Sequence, residues 1–416
     1  MNKPKHKNNF IIIKPSKHEL RGQITLPSSK SISNRVLIIS ALSYSDYEIE
    51  NLSDCDDTEA VIRVLNSDSN NFDIGAAGTA MRFLTAFLSK IVGEWTITGS
   101  ERMKQRPIKV LVDALNSLGA KIEYTEKEGY PPLKIYGSAL QGGEIDLDGS
   151  ISSQYISALL MIAPNMQNGL TINLKGKVIS KPYISLTLKL MAEFGIESTW
   201  NKGKITIAPQ EYKPKQFKVE SDWSAASYWY EILALKGEGE IFLEGLEKGS
   251  YQGDAEVARL FAPLGVNTTY TKDGVKLNAV DKTAASMIYN FVEEPDLAQT
   301  FVVACCLLGV PFSFSGLESL KIKETDRIAA LIAEMSKLGY LLHETPDGIL
   351  EWNGKKTNPR EEIIINTYED HRMAMCFAPA AIKFPGIKIA EPQVVTKSYP
   401  LFWKDLKQEG FEIIDN

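Results

Sequence analysis

LVDALNSLGAKIEY (111–124) reads as one phrase: an amphipathic helix, a closing glycine, then a short alternating strand. Glycine at that point is what a left-handed helix C-cap requires, and the Leu before it extends the buried stripe. The phrase returns as LTLKLMAEFGIEST (186–199), VARLFAPLGVNTTY (257–270), LIAEMSKLGYLLHE (331–344) and FWKDLKQEGFEII (402–414). TEAVIRVLNSDSN (58–70) reads as a degenerate sixth copy. A chain that repeats one phrase at intervals is a repeat architecture before it is anything else.

A second phrase precedes each copy: a polar or Gly-rich start, then a helix apolar nearly all round. These are SSKSISNRVLIISAL (28–42), GAAGTAMRFLTAFL (75–88), GSISSQYISALLMIA (149–163), SDWSAASYWYEILAL (221–235), EEPDLAQTFVVACCLL (293–308) and YEDHRMAMCFAPAAI (368–382). A helix of that kind belongs inside a domain. The unit is therefore strand, buried helix, strand, outer amphipathic helix, strand, repeated six times in an α/β chain. Units one to three occupy 27–220 and units four to six 221–416, with the polar, Pro-containing QEYKPKQFKVESD (210–222) at the boundary. Residues 1–26 carry a leading strand, FIIIKPS (10–16), expected to pair with the C-terminal half, so that the chain crosses twice. The polar starts of the buried helices are expected to face a cleft between the two domains.

At 416 residues the chain exceeds one ordinary core. Its 44% hydrophobic and 24% charged residues are those of an ordinary globular protein, and a net charge of −6 speaks against bulk nucleic-acid binding. Cys55, Cys305, Cys306 and Cys376 form no CxxC pair or metal-ligand spacing, and Cys305 and Cys306 sit in an apolar run as core residues. The apolar stretch at Phe10–Ile13 is too short for a signal sequence, and 301–310 is too short to span a bilayer. A soluble cytoplasmic protein, with reduced thiols, is expected.

Within this acidic chain, SSKSISNR, GTAMR, KETDR and DHRMAM put Lys30, Arg35, Arg82, Lys323, Arg327 and Arg372 where helices begin. A helix N-terminus favours Asp or Glu, so cations gathered there need an anion to justify them, and a phosphate or carboxylate ligand supplies one. Ser31 and Ser33 are N-cap candidates; capping accounts for the serines but not for Lys30. GAAGTAMR opens a helix with glycines that let backbone N–H groups approach a ligand, or that simply make a tight turn; it is no Walker A loop. ERMKQRP (101–107) packs Arg102, Lys104 and Arg106 into what is either a solvated basic loop or part of a site. Ser152, Ser153 and Gln154 offer two hydroxyls and an amide at a helix start, suited to a hydroxylated ligand. Lys323 and Arg327, four apart, are expected on one helix face beside Glu324. Asp370 is the natural N-cap that leaves His371 and Arg372 in a first turn, while His6, His18 and His343 read as surface residues. Asp296 follows Pro295 at a helix start, the usual place for a capping-region acid. No His, Cys and carboxylate grouping has metal-site spacing.

Taken in order, PSSKSISNR, GAAGTAMR, ERMKQRP, SSQY, SKPY (180–183), SYQGD (250–254), PDLA (295–298), KETDR, YEDHRMAM and TKSYP (396–400) closely resemble the 5-enolpyruvylshikimate-3-phosphate synthase family, from about residue 11 to 410. The resemblance implies a two-domain inside-out α/β barrel, each domain three βαβαββ units, in agreement with the six repeats. It implies transfer of the enolpyruvyl group of phosphoenolpyruvate to the 5-hydroxyl of shikimate 3-phosphate, through a tetrahedral intermediate and with release of phosphate. It implies no metal or organic cofactor, small-molecule partners only, a monomer, and domain closure on shikimate 3-phosphate.

Matched by motif position, the resemblance makes Lys30, Gly78, Arg106, Gln154, Arg327, Arg372 and Lys397 phosphoenolpyruvate ligands. Ser31, Arg35, Ser152, Ser153, Gln154, Ser180, Tyr183, Asp296 and Lys323 match positions that hold shikimate 3-phosphate. Asp296 corresponds to the base on the 5-hydroxyl, Glu324 and Lys30 to the proton-transfer pair at the methylene carbon, and His371 to a supporting donor. The chain departs from the family's pattern at Ser28, Ala76, Phe83 and Ser319, where Gly, Asn, Pro and Asn are usual. Retention of Gly78 implies sensitivity to glyphosate. The sister UDP-N-acetylglucosamine enolpyruvyl transferases commonly carry a loop Cys and a Lys-Asn pair; here 95–107 has no Cys and Lys30 precedes Ser31. A binding-only protein would have no reason to keep an acid and a base among the cations.

Overall fold

The computed structural model describes residues 9–415. The chain forms two compact units, Ser28–Glu220 and the residues up to Pro27 together with those from Ser221 onward. It therefore passes from one to the other at 27/28 and again at 220/221.

The Ser28–Glu220 unit contains α1 (Lys30–Leu42), α2 (Asp56–Leu65), α3 (Gly78–Lys90), α4 (Lys109–Ser117), α5 (Ser153–Ile162) and α6 (Lys181–Glu193). The odd-numbered helices are those with polar starts, and they pack on one another. Every residue of α3 from Gly78 to Ser89 is buried. Around them lie two four-stranded sheets and a parallel pair, Phe217–Lys218 with Ile49–Glu50. One sheet runs Asn71–Asp73, Gly93–Thr98, Leu133–Gly137, Lys121–Tyr124, and the other Thr199–Asn201, Lys204–Ile207, Leu170–Lys175, Gly143–Asp148. In each sheet the parallel pair is the one joined through an inner helix, α3 or α5, because parallel neighbours need a crossover connection.

The second unit repeats the plan with α7 (Trp223–Lys236), α8 (Val257–Phe261), α9 (Ala298–Leu308), α10 (Arg327–Lys337), α11 (His371–Phe377) and α12 (Phe402–Gln408). Here α7, α9 and α11 form the centre of a core that includes Trp223, Trp229, Phe301 and Met373. Three four-stranded sheets enclose it. In one of them Phe10–Lys14 lies between Ile387–Ala390 and Glu412–Asp415, antiparallel to both. That position belongs to a hairpin strand in the other sheets, so the leading strand completes the last repeat from the opposite end of the chain. Gln23–Thr25 likewise pairs in parallel with Glu240–Glu244.

The five glycines that close the outer helices, Gly119, Gly195, Gly265, Gly339 and Gly410, all have positive φ, between 82° and 101°. After four of them the next N–H reaches back five residues, as in Ala120 N to Leu115 O and Tyr340 N to Met335 O, which closes each helix in a Schellman turn. Where a proline follows an inner helix the α-helix gives way to a 3-10 turn, at Ala163–Asn165 and at Ala378–Ile382. Cys55, Cys305, Cys306 and Cys376 are free and buried. His18 and His343 are exposed, and His6 lies outside the described residues. Among the described residues no helix is long and apolar enough to cross a membrane.

Candidate functional site

In the Ser28–Glu220 unit the functional side chains stand at the starts of the inner helices. Ser29, rather than Ser31 or Ser33, caps α1: its hydroxyl accepts the Ile32 N–H at 3.4 Å. Ser33 instead accepts the Ser53 N–H at 3.0 Å, and Ser31 stays half-buried beside the helix start. Lys30 opens α1 with its ammonium 3.9 Å from Asp57, in the acidic first turn of α2. A neighbouring helix thus supplies the negative charge that α1 lacks.

Arg35 is buried, and its guanidinium donates to Thr187 Oγ1 at 2.7 Å, Ser31 O at 2.8 Å, Ser157 Oγ at 3.2 Å and Tyr183 O at 3.4 Å. These partners are all neutral, and burial pulls the Arg35 pKa down to about 10. Holding a guanidinium in such surroundings costs free energy that an anion would recover. At the start of α3, a Cβ on Gly78 would lie 2.4 Å from Arg106 Nη1. The Arg106 guanidinium therefore lies against this bare backbone. Gln154 donates to Thr79 Oγ1 at 3.2 Å, and Ser152 caps α5 by accepting the Gln154 N–H at 3.4 Å, with Ser153 next to it in the first turn. Ser180 precedes α6 in left-handed backbone, φ 52°, and makes no capping bond. Of the ERMKQRP cations, Arg102 is exposed and Lys104 pairs with Glu126 at 3.3 Å, so Arg106 alone is buried.

In the other unit a denser cluster surrounds Asp296. Arg327, 2% exposed, donates to Asp370 Oδ2 at 2.7 Å, Glu324 Oε2 at 2.9 Å and Asp296 Oδ1 at 3.1 Å. Burial would lower its pKa, but Asp370, Glu324 and Asp296 outweigh that and hold it above the ordinary value. Arg372 Nη2 lies 3.1 Å from Asp296 Oδ2, and its Nη1 donates to the Asp296 carbonyl at 3.3 Å. Lys323 stands 4.0 Å from the same carboxylate, with its pKa lowered by desolvation against the pull of Asp296. Lys323 does not share a helix face with Arg327, contrary to the four-residue spacing. Asp326 caps α10 through the Ile328 and Ala329 N–H groups, both at 3.1 Å, so the helix starts at Arg327 and Lys323 lies in the turn before it. Asp296 sits in a 3-10 turn, Pro295–Leu297, with its carboxylate spent on cations rather than on a cap.

Asp370 caps α11 through the Arg372 N–H at 2.9 Å while also binding Arg327. His371 Nδ1 lies 3.8 Å from Asp370 Oδ1. Lys397 donates to the Glu369 carbonyl at 2.7 Å, in a loop where Tyr368 and Glu369 both have positive φ. One residue went unassigned in the sequence: Asp254, 5% exposed, accepts a hydrogen bond from the Ser224 hydroxyl, which itself accepts from Arg372. The acid closing SYQGD was the only signal for it. The arrangement brings two guanidiniums, from the starts of α10 and α11, and an ammonium from the turn before α10 to one carboxylate, where incoming anions can exchange with it.

Comparison with known proteins shows the family and the fold. The EPSP synthase (3-phosphoshikimate 1-carboxyvinyltransferase) family pattern matches residues 14–67 and 63–406. A protein named 3-phosphoshikimate 1-carboxyvinyltransferase from Bacteroides fragilis (strain YCH46) is 56% identical over 405 residues, covering 97% of this chain and 98% of that one. One of the same name from Photobacterium damsela subsp. piscicida is 38% identical, covering 94% and 97%. The solved structure of an EPSP synthase from Acinetobacter baumannii, 20% identical, superposes with a TM-score of 0.75 over 97% of this chain and 99% of that one, which shows the shared fold. The chain belongs to the EPSP synthase, or 3-phosphoshikimate 1-carboxyvinyltransferase, family.

Proposed function

We propose that the protein transfers the enolpyruvyl group of phosphoenolpyruvate to the 5-hydroxyl of shikimate 3-phosphate and releases phosphate, as a cytoplasmic monomer. The convergence of Arg327, Arg372 and Lys323 on Asp296 carries this reading, since it is a cation cluster of the kind two anionic substrates need. Lys30, Gly78, Arg106, Gln154, Arg327, Arg372 and Lys397 bind phosphoenolpyruvate. Ser31, Arg35, Ser152, Ser153, Gln154, Ser180, Tyr183, Asp296 and Lys323 bind shikimate 3-phosphate.

In this reading Asp296 takes the proton of the 5-hydroxyl as its oxygen attacks C2 of phosphoenolpyruvate. Glu324 and Lys30 deliver a proton to C3, which becomes a methyl group in the tetrahedral adduct. One of the methyl protons then returns to the pair, the double bond re-forms, and phosphate leaves onto the cations. His371, packed against Asp370, supports the cluster. The neutral surroundings of Arg35 favour a carboxylate or phosphate of the acceptor there.

The test is the reaction in deuterium oxide. An adduct with a freely turning methyl group puts deuterium into the vinyl methylene of the product, seen as a mass increase. A product without deuterium would contradict addition and elimination, and absence of product would contradict the reading itself.

A further inference from the structure

Asp254 closes a hydrogen-bonded chain that the proposed chemistry does not use. It lies in the 3-10 turn Gly253–Glu256, which packs against α7 and α8. The Ser224 hydroxyl of α7 donates to Asp254 Oδ2, and Arg372 Nη2 donates to the Ser224 oxygen at 3.4 Å. The same Arg372 nitrogen lies 3.1 Å from Asp296 Oδ2. One guanidinium therefore faces two carboxylates, one directly and one through a hydroxyl.

We propose that Asp254 is a positioning residue for the anionic substrate, setting through Ser224 how far the Arg372 charge is committed inside the protein. The proposal rests on the reading of Arg372 as a phosphoenolpyruvate ligand. Ionised, Asp254 polarises the chain from Arg372 through Ser224 and adds a buried negative charge that opposes an incoming anion. Protonated, it drops that charge and leaves Arg372 to Asp296 and the substrate. Burial and the nearby Asp296 push the Asp254 carboxyl up to about 7, against the opposing pull of Arg372 and of the Ser224 bond, with Asp222 raising it a little further. On its own turn Glu256 is engaged by Arg259 of α8. The switch thus falls in the neutral range, and anion binding should raise the Asp254 pKa further, with uptake of a proton.

The experiment compares wild type with Asp254→Asn, measuring KM for phosphoenolpyruvate and kcat separately from mildly acidic to mildly alkaline pH. The substrate phosphate also titrates in this range, so the difference between the two proteins is the readout. The wild-type KM should rise with pH more steeply than that of Asp254→Asn, by up to about tenfold for each unit by which the bound anion shifts the Asp254 pKa. The two proteins should have similar KM at the acidic end. Ser224→Ala removes a donor that favours the ionised acid, and should move the wild-type break to higher pH. Calorimetry of phosphoenolpyruvate binding in the presence of shikimate 3-phosphate, in buffers of different ionisation enthalpy, should show proton uptake that Asp254→Asn lacks. Parallel KM profiles, or equal proton uptake, would overturn the proposal while leaving the reaction intact. A wild type that does not turn over phosphoenolpyruvate at all would overturn both.

Discussion

Arg327 is held by Asp370, Glu324 and Asp296, and Asp370 is itself fully buried. Removing the guanidinium strands a buried carboxylate, the costly half of a broken pair. Arg327→Ala should lower stability by about 3–5 kcal/mol, read from urea melts; an unchanged midpoint would show that the carboxylates find other partners. Gly78 makes a different prediction. A methyl group there meets Arg106 Nη1 at 2.4 Å, so Gly78→Ala must push the guanidinium off the start of α3. The KM for phosphoenolpyruvate should rise about tenfold, equivalent to about 1.4 kcal/mol of lost binding, with melting little changed. A KM equal to wild type would remove Arg106 from the site. Lys30, Arg327 and Arg372 stood out in the sequence because cations at helix starts are out of place. Their partners did not, because Asp296 and Arg327 are 31 residues apart and Arg372 and Ser224 are 148 apart. Spacing along a chain carries no record of such contacts.

At the level of elements, the glycine phrases located the outer helices because left-handed backbone at Gly119, Gly195 and Gly339 is a local requirement. The misplacement of Lys323 had an equally local cause: Asp326, a good N-cap immediately before the apolar run, starts the helix later than the charge pattern suggests. Pro379 similarly shortens α11 within an apolar stretch that reads as one helix. What no pattern revealed is Glu231 in the buried helix α7. It is fully buried, and among the described residues neither carboxylate oxygen has a hydrogen-bond partner. Burial raises its pKa well above the ordinary 4.5. The folded chain keeps this proton after the unfolded chain has lost it, so Glu231 makes stability fall as pH rises from below 4.5 toward the raised folded value. Glu231→Gln should be more stable than wild type at neutral pH and lose that slope in melts across pH. Equal slopes would mean that the carboxyl reaches water or a partner.

For the molecule as a whole, the six-fold phrase carried the α/β repeat architecture, since each copy joins a core helix to a capped outer helix by local rules. Pairing of Phe10–Lys14 between strands near the other end of the chain is a long-range event that apolar alternation alone does not specify. The central chemical claim is that this cation cluster serves enolpyruvyl transfer to shikimate 3-phosphate. The measurement that tests it most directly is phosphate release from phosphoenolpyruvate by the purified protein, alone, with shikimate 3-phosphate, and with UDP-N-acetylglucosamine. Release is expected only with shikimate 3-phosphate. Release with the sugar nucleotide instead, or with neither acceptor, would contradict it.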